Sequence, residues 1–415
     1  MKKILILGGG FGGVATYKHL HKLIHPANVH DIQVELINKT NYFTFSPMLH
    51  EVATGSVERE HIVQPLREML KCCGKDFHQA LITKIDPKKK LVYTNKGNHS
   101  YDVLVVALGV EQSYFNTPGA EEYALALKWL PGAIAIRNRI INSFEQASEM
   151  HDIADSAAMD KFLNFVIVGG GPTGTELAGQ LSDLLQNEMA KFYGDIPLNH
   201  TKIVLVHAGK RLIEQLSEPA SKVALERLQK MGVQIILEET VTEVTKDFVK
   251  LSSGKSIPSN SVFWTAGTAS SLQKILPPKV LNDRGMIGVS GTFQTGEFPE
   301  IFALGDSAFV TEDEFKYPPL AQAAVQASKV VAQNIIAHIH NQTPKKKRYL
   351  HKGDIIPIGN AYGIFERKSV RFTGFFAWVL RRIVFIQTMY GWENKMHVLF
   401  DWTVQTFSPR DTSEF

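Results

Sequence analysis

Two stretches of the chain share one arrangement of hydrophobic and polar positions: a short apolar run, a glycine-rich turn, and a segment with helical spacing. The apolar runs are residues 4–7 and 165–168. A buried strand that leads through glycines into a helix is the context in which a G-x-G-x-x-G turn binds a dinucleotide. Two nucleotide-binding turns are therefore predicted, and their diphosphate-binding glycines are Gly8, Gly10, Gly13, Gly169, Gly171 and Gly174.

A second apolar run that ends in glycine follows each turn, at residues 103–109 and 261–267. Gly169 follows Gly8 by 161 residues, and Gly267 follows Gly109 by 158 residues. Two landmarks with nearly one spacing indicate a duplicated nucleotide-binding domain. Gly109 and Gly267 are accordingly predicted to contribute to the two cofactor sites.

These patterns predict an α/β fold class, with two Rossmann-like dinucleotide-binding domains and a C-terminal amphipathic helical segment that docks on a membrane. The predicted division has a first domain over residues 1–115, a helical connector over 116–160, a second domain over 161–268, a return to the first domain over 269–345, and a C-terminal region over 346–415. The return is predicted from an apolar strand ending in Gly-Asp and from an alanine-rich helix that begins near two prolines.

Composition excludes several other classes of protein. The 415 residues are 44% hydrophobic and 21% charged, which describes a globular chain of two or three domains. A formal net charge of +4 is too small to indicate binding to nucleic acid. The two cysteines, Cys72 and Cys73, are neighbours without metal-ligand spacing, so we predict two inert thiols, no metal site and a reducing compartment.

The composition changes from about Ser369, where aromatic residues and arginines crowd together. An in-plane interfacial helix has this composition, because its aromatic face enters the headgroup boundary while its cations meet anionic lipid. Arg381 and Arg382 are expected at the headgroups, and a helix from Trp392 is expected to carry one apolar face. The apolar surface is predicted to include Phe375, Phe376, Trp378, Phe385 and Trp402. Packing of this tail on its own core or on a second copy of the chain remains the alternative.

The second strand of a dinucleotide fold usually ends in a carboxylate that binds the ribose. Here the first copy has Asn38 followed by Lys39, and the second has His207 followed by Lys210 and Arg211. Asn38 can still bond a ribose hydroxyl, and the stem of Lys39 can cover adenine. The two cations near His207 should attract a 2′-phosphate, so NADPH is predicted to be accepted, with a preference for NADH left open.

A family resemblance rests on motifs spread over nearly the whole chain: the Gly8 turn, residues 41–55, the Gly169 turn with Thr173 and Glu176, residues 263–267, Gly305 with Asp306, Ala321 with Gln322 and Gln326, and residues 396–402. In this order they resemble the pyridine nucleotide–disulfide oxidoreductase-like flavoproteins with two dinucleotide-binding domains. They resemble more closely the type II NADH dehydrogenases, which pass electrons from NAD(P)H through FAD to a membrane quinone without pumping protons.

The resemblance implies FAD in the first domain and NADH or NADPH in the second. Asp306 would bond the flavin ribityl chain, and Ile82 and Ala321 are further implied cofactor contacts. The helix that contains Ala321 would direct its positive end at the flavin and stabilise the anionic reduced form. Gln322 and Gln326 match the quinone-site glutamines of the family.

Glu176 matches the residue that contacts nicotinamide and takes part in proton handling. Glu176, Gln322 and Gln326 are thus the implied catalytic residues. The chain departs from the family pattern at His207, where an acidic residue is usual, and at Ala327, where a second adjacent glutamine is common. The implied partners are a membrane quinone and a lipid surface, with a homodimer also possible, and the implied location is the cytoplasmic side of the cell membrane.

Two other functions are weighed against this one. The sequence has no redox cysteine pair of the kind that disulfide and sulfide:quinone reductases need, so electrons must leave FAD for an external acceptor. A soluble reductase of a small electron-carrier protein would fit the two domains but not the aromatic tail. A flavoprotein sensor of NAD(P)H would differ from an enzyme in having almost no turnover.

Overall fold

The computed structural model describes residues 1–25, 31–70, 76–152, 156–194, 196 and 200–414. The predicted thiols Cys72 and Cys73 lie outside the described residues. The chain divides into two compact units, each assembled from three segments. Unit 1 consists of residues 1–43, 64–111 and 268–352, and unit 2 consists of residues 44–63, 112–267 and 353–415.

The described residues form strands and helices that alternate along much of the chain. The strands are β1 (Lys2–Leu7), β2 (Ile32–Asn38), β3 (Tyr42–Thr44), β4 (Val63–Pro65), β5 (Phe77–Gln79), β6 (Ile82–Asp86), β7 (Leu91–Thr94), β8 (Gly97–Ser100), β9 (Val103–Val106), β10 (Glu111–Gln112), β11 (Ala124–Ala126), β12 (Asn164–Val168), β13 (Lys202–His207), β14 (Val233–Leu237), β15 (Val241–Val244), β16 (Phe248–Leu251), β17 (Ser256–Pro258), β18 (Ser261–Trp264), β19 (Thr268–Ala269), β20 (Ile287–Val289), β21 (Ile301–Ala303), β22 (Ala308–Val310), β23 (Asp354–Pro357), β24 (Gly363–Arg367) and β25 (Val370–Gly374). The helices are α1 (Phe11–Ile24), α2 (Leu49–Ala53), α3 (Leu66–Met69), α4 (Ala120–Tyr123), α5 (Leu130–Asp152), α6 (Ser156–Leu163), α7 (Pro172–Leu184), α8 (Ala190–Phe192), α9 (Glu218–Lys230), α10 (Ala321–Ile339), α11 (Phe375–Thr388) and α12 (Trp392–Val404).

Unit 1 is built on a five-stranded parallel sheet in the order β21-β9-β1-β2-β5. Its central strand β1 is buried from Ile4 to Leu7, because strands covered on both faces must be apolar throughout. Helices α1 and α10 pack against each other in this unit. An antiparallel sheet of β6, β7 and β8 completes the pattern before β9 returns to the parallel sheet.

Unit 2 repeats this plan with a five-stranded parallel sheet in the order β11-β18-β12-β13-β14. Its antiparallel sheet, β15-β16-β17, precedes β18 just as the sheet in unit 1 precedes β9. The outer strand differs in origin: β21 follows the rest of its sheet in the sequence, whereas β11 precedes the rest of its own. The predicted pair of Rossmann-like folds is confirmed.

The C-terminal region consists of an antiparallel sheet, β23-β24-β25, followed by α11 and α12, and it belongs to unit 2. Gly374, with φ of +92°, separates β25 from α11, and Gly391, with φ of +80°, separates α11 from α12. Both residues have a backbone conformation that glycine adopts without strain. None of the described helices is long and apolar enough to cross a lipid bilayer.

The observed division differs from the predicted one in three segments. Residues 44–63 were assigned to the first domain but lie in unit 2. The prediction separates the connector, residues 116–160, and the C-terminal region, residues 346–415, from the second domain. In the structure, residues 112–160 and 353–415 belong to unit 2, and residues 346–352 belong to unit 1. The physical reason is a set of long-range contacts, described below, that bury α2 against α7 and the C-terminal helices.

Candidate functional site

The first glycine turn has the geometry of a diphosphate cradle. Gly8 has φ of +108°, and a Cβ there would collide with the carbonyl oxygen of Ala107. A Cβ at Gly13 would collide with the carbonyl oxygen of Gly8, so close packing of helix on strand requires glycine. Gly10 is the N-cap of α1, and a Cβ there would meet nothing within 4 Å. The open space at a helix N-terminus fits a pyrophosphate.

The second glycine turn reproduces the first closely. Gly169 has φ of +112° and donates its N–H to Val206 at 2.8 Å, as Gly8 donates to Ile37 at 2.9 Å. Gly171 caps α7 and again has no neighbour within 4 Å of a built Cβ. A Cβ at Gly174 would collide with the carbonyl oxygen of Gly169. Each unit therefore holds one turn that fits a dinucleotide.

Two further predicted cofactor residues of unit 1 meet at the carboxyl ends of neighbouring strands. Asp306 lies in a turn after β21, and Gly109 follows β9 with φ of +70°. The N–H of Gly109 donates to the Ser307 hydroxyl at 2.8 Å, which joins the two loops. Carboxyl strand ends are where open α/β sheets bind ligands. Ile82 is the first residue of β6. Two positions earlier, the N–H of Ala80 donates to the carbonyl oxygen of Asn38, the last residue of β2, at 3.0 Å.

Asn38 and Lys39 make specific contacts inside unit 1. The Asn38 side-chain oxygen accepts the N–H of Gly9 at 2.8 Å, and its amide donates to both the carbonyl and the hydroxyl of Thr40. Its side chain therefore joins the end of β2 to the glycine turn, which is a different use from the predicted ribose contact. Lys39 forms an ion pair with Glu111 at 3.2 Å.

Helix α10 begins at Ala321, directly after its N-cap Leu320. The Gln326 amide donates to the carbonyl of Leu350 at 2.9 Å and accepts the Leu350 N–H at 3.1 Å. The Gln322 oxygen accepts the N–H of Lys352 at 3.3 Å. Both predicted quinone-site glutamines thus face the same side of α10 and bind the extended segment that follows it. Ala327, where the family pattern has a second glutamine, is 1% exposed and packs in the core.

Of the two cations in the predicted 2′-phosphate cluster of unit 2, Arg211 is bonded to a loop and Lys210 is exposed. The guanidinium of Arg211 donates to the carbonyl of Leu216 and the hydroxyl of Ser221, both at 2.6 Å, and also to the carbonyl of Glu214. Arg211 therefore braces the loop before α9 with three of its five N–H donors, which is a different use from the predicted phosphate contact. Lys210 is exposed. Gly267 follows β18 with φ of +76°.

His207 ends β13 in unit 2, at the position equivalent to Asn38. Burial lowers the pKa of His207, although Glu214 opposes the shift, so the imidazole is neutral at neutral pH. A neutral ring does not repel a nucleotide that carries a 2′-hydroxyl, and it does not attract a 2′-phosphate. Selection between the two nucleotides would then rest on Lys210.

A buried cluster of charged residues surrounds Glu176 in the first turns of α7 in unit 2. His50 Nδ1 lies 3.5 Å from Glu176 Oε2, and Arg381 Nη2 donates to His50 Nε2 at 3.1 Å. Because arginine can only donate, His50 Nε2 must accept, which assigns the imidazole hydrogen to Nδ1, facing Glu176. Arg381 Nη1 also pairs with Glu51 Oε1 at 2.7 Å, and Trp402 Nε1 donates to Glu51 Oε2 at 2.8 Å.

The residues of this cluster differ in protonation state. Burial raises the pKa of Glu176 to about 8, with Arg381 opposing and Glu51 adding to the shift, so Glu176 is mainly neutral at pH 7. Burial and Arg381 lower the pKa of His50 to about 3, so His50 is neutral as well. Burial opposes the ionisation of Glu51, but Arg381, His50 and the Trp402 hydrogen bond outweigh burial and lower its pKa. One buried ion pair, Glu51 with Arg381, thus lies beside a neutral His50–Glu176 pair.

The cluster borders a polar cavity of about 520 Å³ inside unit 2. Among the residues that line the cavity are Glu51, Gln180, Asp183, Arg381, Trp402 and Arg410. The cavity is large enough for several water molecules and is rich in hydrogen-bonding groups. It therefore offers the carboxylates of Glu51 and Asp183 a polar environment on one side.

Two expectations for the C-terminal region are wrong. Arg381 is 2% exposed and pairs with Glu51, so it does not reach lipid headgroups. Trp402 is buried and donates to the same carboxylate, so it is not part of an apolar surface. The cation of Arg382 lies over the rings of Trp378 and Trp402 at 3.6 and 4.6 Å. An arginine in an aromatic run looks the same in sequence whether it meets lipid or a buried carboxylate.

Exposed apolar side chains nevertheless remain on α11, α12 and the residues just beyond them. They are Phe375, Phe376, Ile383, Trp392, Met396, Leu399, Phe400, Val404 and Phe407. Their spacing places most of them on the faces of the two helices that do not contact the Arg381 cluster. The predicted amphipathic character of this region is therefore present, with a different division of its residues.

Sequence reasoning missed His50 and Glu51 as members of the site, and it placed Arg381 and Trp402 on the surface. The one available signal was the polar pair His50–Glu51 inside an otherwise apolar α2. Buried polar and charged side chains require partners, but Arg381 and Trp402 lie more than 300 positions away in the sequence. No local pattern identifies them.

Comparison with known proteins agrees with this geometry. The family model for pyridine nucleotide-disulphide oxidoreductases matches residues 2–328. The chain is 31% identical to the type II NADH:quinone oxidoreductase Ndh of Mycobacterium tuberculosis, over 98% of this chain and 89% of that protein. It is 29% identical to a probable NADH dehydrogenase of Dictyostelium discoideum, over 100% of this chain and 91% of that protein.

A solved structure of NDH2 from Plasmodium falciparum in complex with NADH has the same fold, with a TM-score of 0.89, 20% identity and 99% of each chain covered. The chain belongs to the pyridine nucleotide-disulphide oxidoreductase family and, within that family, to the type II NADH:quinone oxidoreductases. The resemblance drawn from the sequence motifs is thereby confirmed.

Proposed function

We propose that this chain oxidises NADH or NADPH with FAD as its bound flavin and passes the electrons to a membrane quinone, without pumping protons. The observation that carries this proposal is the pair of matching glycine turns, one in each unit, within a chain of the type II family. Bound FAD supplies the chemistry that accepts hydride and releases electrons. The residues of the chain bind and orient the two nucleotides and manage protons.

Unit 1 is the proposed FAD-binding unit. Gly10 at the N-terminus of α1 would receive the diphosphate. Asp306, which precedes the Ser307 that bonds Gly109, would accept hydrogen bonds from the ribityl hydroxyls. The N-terminus of α10 at Ala321 carries a partial positive charge, which stabilises negative charge placed near it. The turn at Gly171 in unit 2 would receive the diphosphate of the nicotinamide nucleotide.

Glu176 is the proposed proton-handling group. Reduction of a quinone by NADH consumes one proton in addition to the hydride, and a buried acid that is protonated at neutral pH can supply it. With a pKa of about 8, Glu176 carries such a proton. The Nδ1 hydrogen of His50 points toward the carboxyl of Glu176, so His50 can donate a hydrogen bond to this carboxyl when Glu176 loses its proton.

Gln322 and Gln326 are the proposed quinone contacts. Gln326 donates one hydrogen bond to Leu350 and accepts one from it, and these bonds fix the orientation of its amide. The Gln322 side-chain oxygen accepts the N–H of Lys352 at 3.3 Å, so Gln322 lies beside Gln326 against the same extended segment. We expect Gln322→Ala and Gln326→Ala each to raise the KM for quinone in a steady-state assay.

A steady-state assay tests the whole proposal. The flavin-loaded protein is mixed with NADH or NADPH and a short-chain quinone, and turnovers of one per second or faster are expected, a rate at the lower end of ordinary enzymes. Asp306→Ala should lose flavin, and activity should fall with it. Turnover below about one per minute with every quinone, in protein that retains FAD, would favour the sensor function instead.

We further propose that the exposed apolar face of α11 and α12 rests on a bilayer surface at the cytoplasmic side of the cell membrane. Phe376 and Phe400 are 77% and 67% exposed, and contiguous apolar side chains on helices are typical of interfacial binding. The cytoplasmic side is inferred from the vicinal cysteines, which suit a reducing compartment. A second copy of the chain is the other occupant that could cover this face.

Point variants test this docking better than truncation does. Deletion of the tail would remove Arg381 and Trp402 from the buried cluster and unfold unit 2. Phe376→Ser with Phe400→Ser should release the protein from liposomes that contain anionic lipid, while Phe192→Ser, at another exposed phenylalanine of unit 2, should not. Unchanged flotation combined with conversion of a dimer to a monomer would assign the face to a second copy.

A further inference from the structure

Unit 1 contains a cluster of one carboxylate and two imidazoles that has no role in the function proposed above. Glu35 lies on β2, His78 on β5 and His99 on β8. One ligand atom from each residue lies within 4.8 Å of the other two. The three residues come from two different sheets of the unit, so their approach is a product of the tertiary fold.

The distances within the cluster suit a tetrahedral metal ion. Glu35 Oε2 lies 3.4 Å from His78 Nε2 and 3.5 Å from His99 Nδ1. Ligand atoms bound to Zn²⁺ at about 2.0 to 2.2 Å with tetrahedral angles are separated by roughly 3.3 to 3.6 Å. Two of the three edges therefore already have the required length. The His78 side chain is 38% exposed, so its rotation can shorten the remaining edge without disturbing the core.

The Glu35 carboxylate is buried and directs one oxygen at the two imidazoles. Its side chain is 8% exposed, and Oε2, the oxygen that faces both imidazoles, makes no hydrogen bond to any described residue. A buried carboxylate oxygen without a hydrogen bond is costly unless another group satisfies it. A cation held between Oε2 and the two rings would satisfy it.

The second oxygen of Glu35 is held separately. Lys3 Nζ lies 2.8 Å from Oε1, and the amide of Gln33 donates to the same oxygen at 3.2 Å. Polar partners that orient a ligating carboxylate through its other oxygen are a regular feature of metal sites. The Lys3 charge also weakens the attraction of the carboxylate for a second cation, so the site should bind a metal ion with moderate affinity.

We infer that Glu35, His78 and His99 form a site for a divalent metal ion of the Zn²⁺ class, with the fourth position open to water. Two imidazoles and a carboxylate are the ligand set that zinc uses with three protein ligands. The sequence predicted no metal site, because the ligands are separated by 43 and 21 positions and come from three strands. The inference is independent of the proposed function.

Zinc titration of the FAD-loaded, full-length protein tests this inference. Isothermal calorimetry should give one Zn²⁺ per chain, and His78→Ala and His99→Ala should each weaken binding at least tenfold. His200→Ala is the matched control, because His200 is 31% exposed and pairs with a single carboxylate, that of Asp160, at 3.2 Å. Co²⁺ in place of Zn²⁺ should give the visible absorption bands of a tetrahedral site, at longer wavelengths than the flavin bands.

A second variant separates metal binding from a purely structural ion pair. Lys3→Gln removes the competing ammonium and should tighten Zn²⁺ binding, whereas a structural network of Glu35, Lys3 and the histidines predicts only a loss of stability. The inference is overturned if the His78→Ala, His99→Ala double variant binds as much Zn²⁺, and as tightly, as the unaltered protein. It is equally overturned if Lys3→Gln leaves the affinity unchanged.

Discussion

At the scale of single residues, the surroundings of Glu176 decide its chemistry. The carboxyl lies in a buried region, so its proton is held well above the pH at which an exposed glutamate loses it. Arg381 does not reverse this shift, because Glu51 already balances its charge. Burial lowers the pKa of His50, and the same arginine adds to the shift, so His50 is neutral. The site thus stabilises one proton on an acid and keeps it next to a neutral base.

Glu176→Gln should remove a pH dependence of stability. Between the ordinary value of 4.5 and the folded pKa of about 8, the unfolded chain has lost this proton while the folded chain retains it. The free energy of unfolding therefore falls as pH rises through this window, by up to about 1.4 kcal/mol per pH unit. Glutamine does not titrate, so urea unfolding of the variant should show a smaller decline between pH 5 and 9.

The exposed Glu226→Gln is the control for that experiment and should leave the decline as it is. Activity gives a second measurement: the alkaline decrease in kcat of the unaltered enzyme should be absent in Glu176→Gln, whose overall rate is lower. Equal pH slopes of stability in Glu176→Gln and in the unaltered protein would contradict the raised pKa.

The Glu51–Arg381 pair can be examined by a double-mutant cycle. Arg381→Met leaves the Glu51 carboxylate buried without its cation, and it should lower the free energy of unfolding by about 3 to 5 kcal/mol. Adding Glu51→Gln removes the isolated charge and should recover part of this loss. Arg367→Met, at an exposed arginine of β24, should have little effect. Additive single effects in the cycle would show that the two side chains do not interact.

Glu176 could be proposed as a site residue from the sequence, because it lies a fixed distance after a recognisable turn. Its partners could not. Arg381 and Trp402 lie in a segment whose composition suggests a lipid surface, and only the tertiary fold shows that one side of this segment contacts α2. The exposed phenylalanines and the buried arginine share the same helix, α11, and composition does not tell which face each one occupies.

At the scale of elements, two side chains that the sequence suggests for ligand binding form hydrogen bonds to loops. Arg211 is bonded to three groups of the loop before α9, and Asn38 joins the end of β2 to the glycine turn. Helix and strand positions were predicted well because hydrophobic periodicity reports them directly. Side-chain hydrogen bonds to loops have no periodicity, and so these two assignments needed the structure.

Lys210 and Arg211 should respond differently to substitution. Lys210→Ala should lower the NADPH to NADH ratio of kcat/KM about tenfold, since a charge-assisted contact to phosphate contributes roughly 1.5 to 3 kcal/mol. Arg211→Ala should leave this ratio nearly unchanged and lower the melting temperature, because three hydrogen bonds are lost. The assignment fails if the ratio changes with Arg211→Ala and not with Lys210→Ala.

At the scale of the whole molecule, one nucleotide-binding plan is used twice for different cofactors. Four strands of each sheet follow the same order, and the two turns agree in backbone angles and hydrogen bonds. The duplication was visible in the sequence because glycines at such turns have no substitute. The assignment of residues 44–63 and 353–415 to unit 2 was not visible, since it depends on contacts between distant segments.

Matched alanines in the two turns should separate the two cofactors. A methyl group at Gly10 or Gly171 meets no protein atom, so the fold should be retained, but it occupies the space that a diphosphate would approach. Gly10→Ala should lose most of its FAD, as measured by flavin absorbance per protein. Gly171→Ala should keep FAD and raise the KM for the nicotinamide nucleotide about tenfold or more, corresponding to roughly 1.4 kcal/mol.

Gly296→Ala, at a third glycine with open surroundings, is the control for both substitutions. Loss of flavin from Gly171→Ala, with full flavin in Gly10→Ala, would reverse the assignment of cofactors to units. Loss of flavin from both variants to the same extent would show that the turns do not act separately.

The chain passes repeatedly from one unit to the other. This order of segments constrains the sequence in which the units can fold during synthesis and the exchange of units between related genes. The parallel sheet of unit 2 is complete once β18 has emerged from the ribosome, but that of unit 1 must wait for β21, although unit 1 contains the first residue. The first segment of unit 1 is therefore synthesised well before the last strand of its sheet. A single crossover at any point of the gene that encodes residues 44–352 separates parts of at least one unit. Exchange of one intact unit between relatives consequently requires several simultaneous crossovers, so the two nucleotide folds are inherited together.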